Sequence, residues 1–388
     1  MLLFIFSLCG LASAVVTRSV DPLVTMIGRD FAVPAATAAL LSSAFTLPYA
    51  LGQPILGPLG DVLGKTTILK ICLWLLVLCL AASAMMPSFP TLLALRPLTG
   101  IFAGGIMPIA MAILSDRFPI AQRQLAIARF LTTALIGQVL GASGAGLLAA
   151  FIGWRGVMVC SACVAVVAAI GASFVFRGGA ASKRAPFRLA AMAQGYRQIF
   201  ANPNSYVCFG TVFVEGVTIF GVTPFFADML ERSATGGARE AGFIIAGIGA
   251  GGVVYSLSLA FILRFATRRG MMAAGGAIAA LGLVGIALWP DWHIDVACYS
   301  VTGFGFFMLH NSIQAEVSEL APEARSTAYA LHAFSFFVGQ ALAPLVFGPM
   351  HNAIGAGPTL GIMAVVLTIG AIAASRLLRR NLVSGILR

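Results

Sequence analysis

The chain has 388 residues, of which 60% are hydrophobic and only 10% are charged. An average soluble domain carries about 25% charged residues, so this composition excludes a water-soluble globular protein. The formal net charge is +11, an excess of bases found both in nucleic-acid-binding proteins and in membrane proteins. The seven cysteines all fall inside apolar runs without a second Cys-x-x-Cys pair, so we interpret them as small packing residues rather than metal or redox ligands.

Apolar runs of about 20 residues recur along the chain, the length that a helix needs to cross about 30 Å of hydrocarbon. These runs are too long and too uniformly apolar for barrel strands, and helices leave no backbone group unpaired in lipid. We predict twelve spans, at 3–27, 35–57, 67–87, 90–114, 124–149, 155–176, 204–227, 241–263, 270–290, 294–316, 326–348 and 357–375. The predicted fold class is an all-α polytopic membrane protein. A signal peptide is the weaker interpretation of the first run, because no basic residues precede it.

Span 1 contains two charged residues, Arg18 and Asp21. A charge at the bilayer centre costs at least about 2.5–3.5 kcal/mol, so both residues are candidates for function. The spacing places Thr25 on the same helix face as these two residues. The alternative is a structural ion pair between Arg18 and Asp21.

A short polar hinge separates spans 2 and 3 and reads Gly57-Pro58-Leu59-Gly60-Asp61-Val62-Leu63-Gly64-Lys65. Its glycines permit a tight turn, which any two membrane helices also require. The stretch resembles the signature of the major facilitator superfamily, roughly G-x-L-a-D-r-x-G-r-k. Gly57, Leu59, Asp61, Gly64 and Lys65 match this signature, whereas Val62 and Thr66 stand where the family has bases.

The resemblance implies a gate at this hinge. Asp61 would sit against the start of span 11, where the positive end of a helix favours an anion, and Lys65 would reach Asp116 at the end of span 4. Asp61→Asn is then expected to slow transport while leaving expression and substrate binding near normal. The missing bases at Val62 and Thr66 predict a weaker latch than in relatives.

Spans 4 and 5 carry glycine-rich motifs. Arg96 is followed by Gly100 and Gly104, which resembles the span-4 motif of the superfamily, and this spacing predicts a small-residue stripe for close helix contact. The family pattern directs the arginine toward a central cavity; the alternative is that Arg96 binds backbone carbonyls. Span 5 has Gly137 and Gly141 at the same spacing but lacks the proline of proton antiporters, which weakens the case for drug:proton antiport.

The chain contains a weak internal repeat around a basic linker at 177–203. Ser115-Asp116 recurs as Ser318-Glu319 at an offset of 203, and Gly137-Gln138 recurs as Gly339-Gln340 at an offset of 202. We therefore predict a six-helix bundle at 1–176 and another, with a short tail, at 204–388. Two parallel six-helix repeats are the architecture of this superfamily.

Glu215 is a carboxyl at the middle of span 7 with no base near it in sequence. In the superfamily, spans 1, 4, 7 and 10 line the central cavity, so the resemblance places this residue there. Burial disfavours the ionised form of an isolated carboxyl. We predict that Glu215 carries a coupling proton, whereas Asp21 and Arg96 shape the substrate site.

Span 10 contributes two polar candidates on one face, His310 and Gln314. We assign them to the substrate and proton pathway because the resemblance places span 10 beside the cavity. His332 in span 11 is interpreted as a packing residue.

The distribution of bases predicts the topology. Eighteen of the 24 Lys and Arg residues fall on the side of the termini, four fall on the opposite side and two lie within spans. Both termini are therefore predicted to be cytoplasmic in the inner membrane. The bases attract anionic lipid headgroups, and we expect no nucleic-acid partner.

The chain is identified as a member of the major facilitator superfamily, most like its bacterial drug and sugar efflux branch, which Arg18-Ser19-Val20-Asp21-Pro22 also resembles. The resemblance implies a monomeric secondary transporter that exports a small drug-like or sugar-like molecule by alternating access, in exchange for a proton. No Walker motif is present, so we expect an ion gradient as the energy source and no cofactor. The alternatives are an uptake symporter or facilitator, a flippase or a channel. A membrane enzyme would need a nucleophile–base or metal cluster, which the imidazoles of the spans do not form in sequence.

Overall fold

The computed structural model describes residues 2–118, 120–176, 189–289, 291–321 and 324–378, and this part of the chain is helical without β-strands. The helices form twelve spans, several of them in two pieces. Their bounds are Leu2–Arg18 with Val24–Asp30, Ala35–Ala38 with Leu40–Leu63, Lys65–Met85, Phe89–Arg117, the two parts of Ile120–Val175, Asn204–Phe220 with Phe226–Arg232, Ala238–Phe265, Arg268–Leu288, Trp292–Leu320, Arg325–Ile354 and Ala356–Leu377. A further helix, Leu189–Ala201, precedes span 7 and is called the linker helix below.

Length and composition identify ten stretches of the described chain that can cross a membrane. One of them, Arg129–Val175, contains both span 5 and span 6, because Gly153 breaks the helix with a φ of 66°. Span 10 has 29 residues but is more polar than the others, and it completes the twelve. The predicted twelve-helix fold is confirmed.

The hinge differs from the prediction. Span 2 does not end near residue 57 but continues as a helix to Leu63, and span 3 begins at Lys65. The reversal occurs at Gly64 alone, with a φ of 99° that strongly favours glycine. The polar residues of the hinge therefore belong to the last turns of a helix rather than to a loop.

Spans 1 and 7 are interrupted where continuous helices were predicted. In span 1 a 3-10 turn, Asp21–Leu23, separates two helices, and in span 7 the turn is Thr223–Phe225. Each turn has a proline at its second position, which removes a backbone donor and breaks the helix. Every helix and turn in span 7 begins and ends 202 residues after its counterpart in span 1. The internal repeat that the sequence pairs indicated is therefore also present in the backbone structure.

Glycine contacts hold the same pairs of spans together in both halves. Spans 1 and 5 run parallel, as do spans 2 and 4, and the second half repeats this with spans 7 and 11 and spans 8 and 10. Methyl groups added at the predicted packing glycines would meet the neighbouring backbone of the paired span. These glycines are Gly100 and Gly104 against Phe45 and Tyr49, and Gly137 and Gly141 against Leu11 and Val15.

The two ends of the bundle differ in how the halves meet. We call the end with the Gly64 turn and the linker helix the linker end, and the end with the Gly153 turn the far end. At mid-membrane the rings of Tyr49 and Phe337 join spans 2 and 11, with centroids 4.9 Å apart. At the far end, Arg29 Nη2 donates to Glu231 Oε2 across the halves at 2.6 Å. These contacts join the two halves at mid-membrane and at the far end.

Candidate functional site

A cavity of about 180 Å³ lies at mid-membrane between the two halves. Helices of both repeats line it, so a molecule in it touches both halves at once. The lining residues are Ala14, Thr17, Arg18, Tyr49, Met107, Ala134, Leu135, Gln138, Phe220, Phe306, Phe307, His310, Phe336, Phe337 and Gln340. A smaller space of about 40 Å³ shares Arg18, Gln138 and Phe220 with it.

Aromatic rings form most of one wall of the cavity. Phe306 stacks on Phe336 with centroids 5.6 Å apart, and both meet the ring of Phe220 edge-on. Offset and edge-to-face contacts of this kind hold flat rings in fixed orientations. The cavity therefore presents rigid apolar surfaces beside a small number of polar groups.

Arg18 is the polar centre of the cavity. It is the last residue of the first helix of span 1, directly before the interruption that Pro22 produces, and the side chain is almost fully buried. Its Nη1 lies 3.5 Å from Asp21 Oδ2, and its Nη2 donates to Gln340 Oε1 at 3.4 Å. The guanidinium also lies over the ring of Phe220, 4.5 Å from the centroid.

Asp21 and Arg96 lie behind the lining rather than in it. The Ser42 hydroxyl donates to Asp21 Oδ1 at 2.6 Å, so this carboxylate has partners on both sides. Arg96 donates from Nε to the Leu41 carbonyl at 3.0 Å and lies over the ring of Phe45. The sequence analysis gave two structural alternatives, an Arg18–Asp21 ion pair and a bond from Arg96 to a backbone carbonyl. Both interactions are present.

Glu215 is not isolated, and this corrects the interpretation of it as a lone carboxyl. Its Oε2 lies 2.7 Å from Nδ1 of His310, which the chain brings over from span 10. The sequence did not predict this pair, because Glu215 and His310 are 95 positions apart in the chain. The side chain of Glu215 is fully buried, and its Oε1 has no hydrogen-bond partner.

His310 connects this buried carboxyl to the cavity. Its imidazole lines the cavity and is 14% exposed, whereas the Glu215 side chain is 0% exposed. The ring of His332 packs against His310 with centroids 4.6 Å apart, and His332 Nε2 has no hydrogen-bond partner. A carboxyl and an imidazole in contact can share a proton, so this group can hold one at the edge of the cavity.

Gln314, predicted to share the pathway, has an exposed side chain and is absent from the lining of the cavity. The glutamines that do line it are Gln138 and Gln340. Both belong to the Gly-Gln pair that repeats at an offset of 202. That repeat could have identified these two glutamines as site residues, but it was interpreted only as a sign of duplication.

At the linker end, Lys65 Nζ donates to Asp116 Oδ2 at 2.7 Å. The second half has a comparable pair between Arg268 and Glu316 at 2.9 Å. Each pair joins the start of one span to the end of the next within its own half. The surroundings of Gly57 and the side chain of Asp61 lie outside the described part of the chain, so the predicted contact of Asp61 with span 11 stays a prediction.

The far end carries a polar cluster that the sequence did not reveal. Glu231 accepts from Thr25 at 3.2 Å as well as from Arg29, so one carboxylate of span 7 binds two residues of span 1. A cavity of about 570 Å³ at this end is bordered by these residues. Among the described residues, no group of three or more His, Cys, Asp or Glu side chains is placed to hold a metal ion.

Comparison with known proteins identifies the family. Residues 6–344 match the Major Facilitator Superfamily. The inner membrane transport protein YnfM of Escherichia coli is 23% identical over 380 residues, which cover 96% of this chain and 89% of that protein. The uncharacterized MFS-type transporter YybF of Bacillus subtilis is 32% identical over 168 residues, covering 43% of this chain and 41% of that protein.

Solved structures show the same fold. The nucleoside transporter NupG superposes with a TM-score of 0.82 at 13% identity, over 98% of this chain and 100% of that chain. A bacterial homologue of the human lysosomal transporter Spinster, in an inward-facing and unoccupied conformation, superposes with a TM-score of 0.71 at 18% identity, over 96% of this chain and 91% of that one. The family match, the twelve spans and the cavity between two repeats lead to one conclusion: this chain belongs to the Major Facilitator Superfamily.

Proposed function

We propose that the chain is a proton-coupled secondary transporter that carries a small organic molecule through the central cavity by alternating access. The observation that carries the proposal is the contact between Glu215, fully buried in span 7, and His310, which lines the cavity. Members of this superfamily bind small molecules and usually work as monomers, and the fold gives this chain the same two-repeat architecture.

The buried pair explains how a proton is held and released. Without water, Glu215 is more stable as the neutral acid, and His310 can accept its proton across the 2.7 Å contact. Water reaches the imidazole first, because it lies between the carboxyl and the cavity. A proton therefore leaves or enters when the cavity is open to water and stays bound when it is closed.

Closure at the far end supports alternating access. The Arg29–Glu231 ion pair and the Tyr49–Phe337 ring contact join the halves on one side of the cavity and at its level. If the predicted topology holds, the far end is external and this conformation faces the cytoplasm. Rocking of the halves about the cavity would break these contacts and open the other side.

Two directions of transport follow from different observations. Export in exchange for an entering proton is predicted from the sequence. The Efflux pump FUBT of Fusarium oxysporum is 27% identical over 149 residues, which cover 38% of this chain and 25% of that protein. The niacin transporter NiaP of Acinetobacter baylyi is 30% identical over 118 residues, which cover 30% of this chain and 27% of that protein. The second candidate is joint movement, in which proton and cargo cross in the same direction. The net positive charge of Arg18, Arg96 and Asp21 beside the cavity favours it.

Proteoliposomes test the proton site directly. The probe is the compound that most raises the melting temperature of the purified protein in a small-molecule screen. Glu215→Gln mimics the protonated acid, so it should abolish probe accumulation driven by a pH gradient while sparing probe exchange at equal pH. Asp21→Asn should impair both modes, because it removes the counter-charge of Arg18 at the cavity.

Glu319→Gln is the matched control for the loss of a carboxylate, because Glu319 is exposed at the end of span 10. It should retain both modes of transport. Full pH-driven accumulation in Glu215→Gln, with uncoupling in Asp21→Asn alone, would assign the proton to Asp21 instead and contradict the proposal.

A further inference from the structure

We infer that Arg18 and Gln340 form an oxyanion subsite, so that the cargo is a small organic anion with a flat apolar body. The inference rests on the proposed function, because it treats the central cavity as the cargo site. The two residues belong to opposite halves, Arg18 to span 1 and Gln340 to span 11. An anion held between them would contact both halves during transport.

The amide of Gln340 lacks an acceptor. Its Oε1 accepts from Arg18 Nη2 at 3.4 Å, which fixes the orientation of the amide and turns Nε2 away from the guanidinium. The residue is only 6% exposed, and Nε2 has no hydrogen-bond partner although the side chain lines the cavity. A buried donor without a partner is costly, so the ligand that completes this site supplies an acceptor atom.

Arg18 offers further donors in the same place. A guanidinium has five N–H groups, and its contacts are one ion pair through Nη1 and one hydrogen bond through Nη2. Arginine recognises planar oxyanions through paired N–H donors. Together with Gln340 Nε2, it provides a set of donors that fits a carboxylate, sulfonate or similar group.

The charges around the cavity also favour an anion. The buried cluster in the first half contains two guanidinium groups, Arg18 and Arg96, and one carboxylate, Asp21. Its net charge is therefore +1 whenever Asp21 is ionised. Among the described residues, no carboxylate lines the cavity. Its titratable lining residues are Arg18, Tyr49 and His310. The net positive charge of this cluster therefore favours an anionic cargo over a cationic one.

The remaining walls set the shape of the cargo. Six aromatic residues line the cavity, namely Tyr49, Phe220, Phe306, Phe307, Phe336 and Phe337. The volume of about 180 Å³ is below the roughly 300–1,000 Å³ of pockets for drug-sized ligands. This combination fits an anion with one or two flat rings rather than a large drug or a polyhydroxylated sugar.

Binding to the purified full-length protein in detergent tests the inference without any gradient. The probes are benzenesulfonate, benzenesulfonamide and benzyltrimethylammonium, with the corresponding naphthalene compounds, as anion, neutral and cation versions of similar bodies. The anions should bind most tightly by thermal shift and calorimetry. Tighter binding of the sulfonamides or of the ammonium compounds, or equal binding of all three classes, would overturn the inference.

Variants of the two cavity glutamines locate the subsite. Gln340→Leu removes the unpaired donor, so it should weaken anion binding by about tenfold or more and change sulfonamide binding less. Gln138→Leu is the matched control: it removes an amide from the same cavity, but the Arg18 bond is made by Gln340, so it should not change the order of preference. If Gln340→Leu does not fold, Gln340→Glu serves instead and should lose the anions and gain the ammonium probes. An unchanged anion preference in a folded Gln340 variant would contradict the subsite.

The two proposals fail in distinguishable ways. A protein that binds the sulfonates but never couples their movement to protons would contradict the proposed function and leave the subsite intact. A protein whose pH-driven transport depends on Glu215 but carries only cations would retain the proposed function and overturn the subsite.

Discussion

His310 lies between Glu215 and the cavity, where the proposed proton would pass. Its Nδ1 contacts the carboxyl, and its ring also meets Phe306, Phe336 and His332. The aromatic contacts fix the ring plane, so the surrounding rings hold the imidazole in the orientation that contacts the carboxyl. The proposed coupling site is therefore a carboxyl–imidazole pair rather than a single residue.

Replacing this imidazole should uncouple the transporter. In His310→Phe the Glu215 carboxyl loses its partner and stays neutral in its buried site, so pH-driven transport should fall by about tenfold or more. Probe exchange at equal pH should fall much less, because the phenyl ring preserves the packing. His332→Phe is the control, since it keeps a ring against His310 without touching Glu215. Equal losses in both variants would mean that the pair is structural.

At the residue scale, the sequence identified which groups are unusual but not what they contact. Arg18, Asp21, Arg96 and Glu215 were recognisable because ionisable residues are rare in apolar spans. The partner of Glu215 lies on another span, and no periodicity connects the two. Gln340 was harder still, because an amide in a span attracts no attention until its unpaired donor is seen beside Arg18.

Close contact between spans 1 and 5 depends on single glycines. A methyl group at Gly141 would collide with the backbone of Val15, whereas one at Gly144 would meet nothing within 4 Å. Gly141→Ala should therefore lower the free energy of unfolding by about 1–3 kcal/mol, the usual cost of overpacking. Gly144→Ala, one turn away, should be neutral or stabilising by up to about 1 kcal/mol through helix propensity. Thermal unfolding in detergent measures both, and equal effects would contradict the packing.

The far-end contact between spans 1 and 7 should control the conformational equilibrium. Partly exposed ion pairs contribute about 0.2–1 kcal/mol, so Arg29→Gln should raise the far-end-open population by a factor of up to about five. Hydrogen–deuterium exchange of residues 24–38 and 226–232 should then become faster. Arg155→Gln breaks the pair with Asp30, which lies at the same end but within one half, and should leave exchange at 226–232 unchanged. Equal acceleration at 226–232 in both variants would contradict the gate.

The elements themselves were largely predictable, because twelve long apolar runs allow little besides helices. The interruptions of spans 1 and 7 were not, since apolar residues continue through Pro22 and Pro224 and hydropathy does not register a local turn. The prediction of a loop at the hinge was wrong for the opposite reason. Its polar residues suggested a loop, although they form the last turns of a helix that ends at Leu63.

Topology is a property of the whole molecule and follows from the placement of its bases. A reporter inserted near Lys183 should be cytoplasmic, and one inserted near Thr235 should be external. Alkaline phosphatase and fluorescent-protein fusions read the two sides independently. Finding both sites on one side of the membrane would contradict the arrangement of two six-helix halves.

The charges of the whole site bear on how proton and cargo move together. The cluster of Arg18, Arg96 and Asp21 carries +1, which an ionised Glu215 would balance across the cavity. Protonation of Glu215 removes that balance and leaves the positive charge for an anion. A proton and an anionic cargo should therefore load together, which favours joint movement over exchange.

Internal pH in proteoliposomes tests this coupling most directly. Vesicles are loaded with benzenesulfonate and a pH-sensitive dye at equal pH on both sides, and then diluted into sulfonate-free buffer. As the sulfonate leaves with protons, internal pH should rise with wild-type protein and should not change with Glu215→Gln, whereas Glu319→Gln should behave as wild type. A fall in internal pH would contradict joint movement and indicate exchange, and sulfonate release without any pH change in the wild-type vesicles would contradict proton coupling altogether.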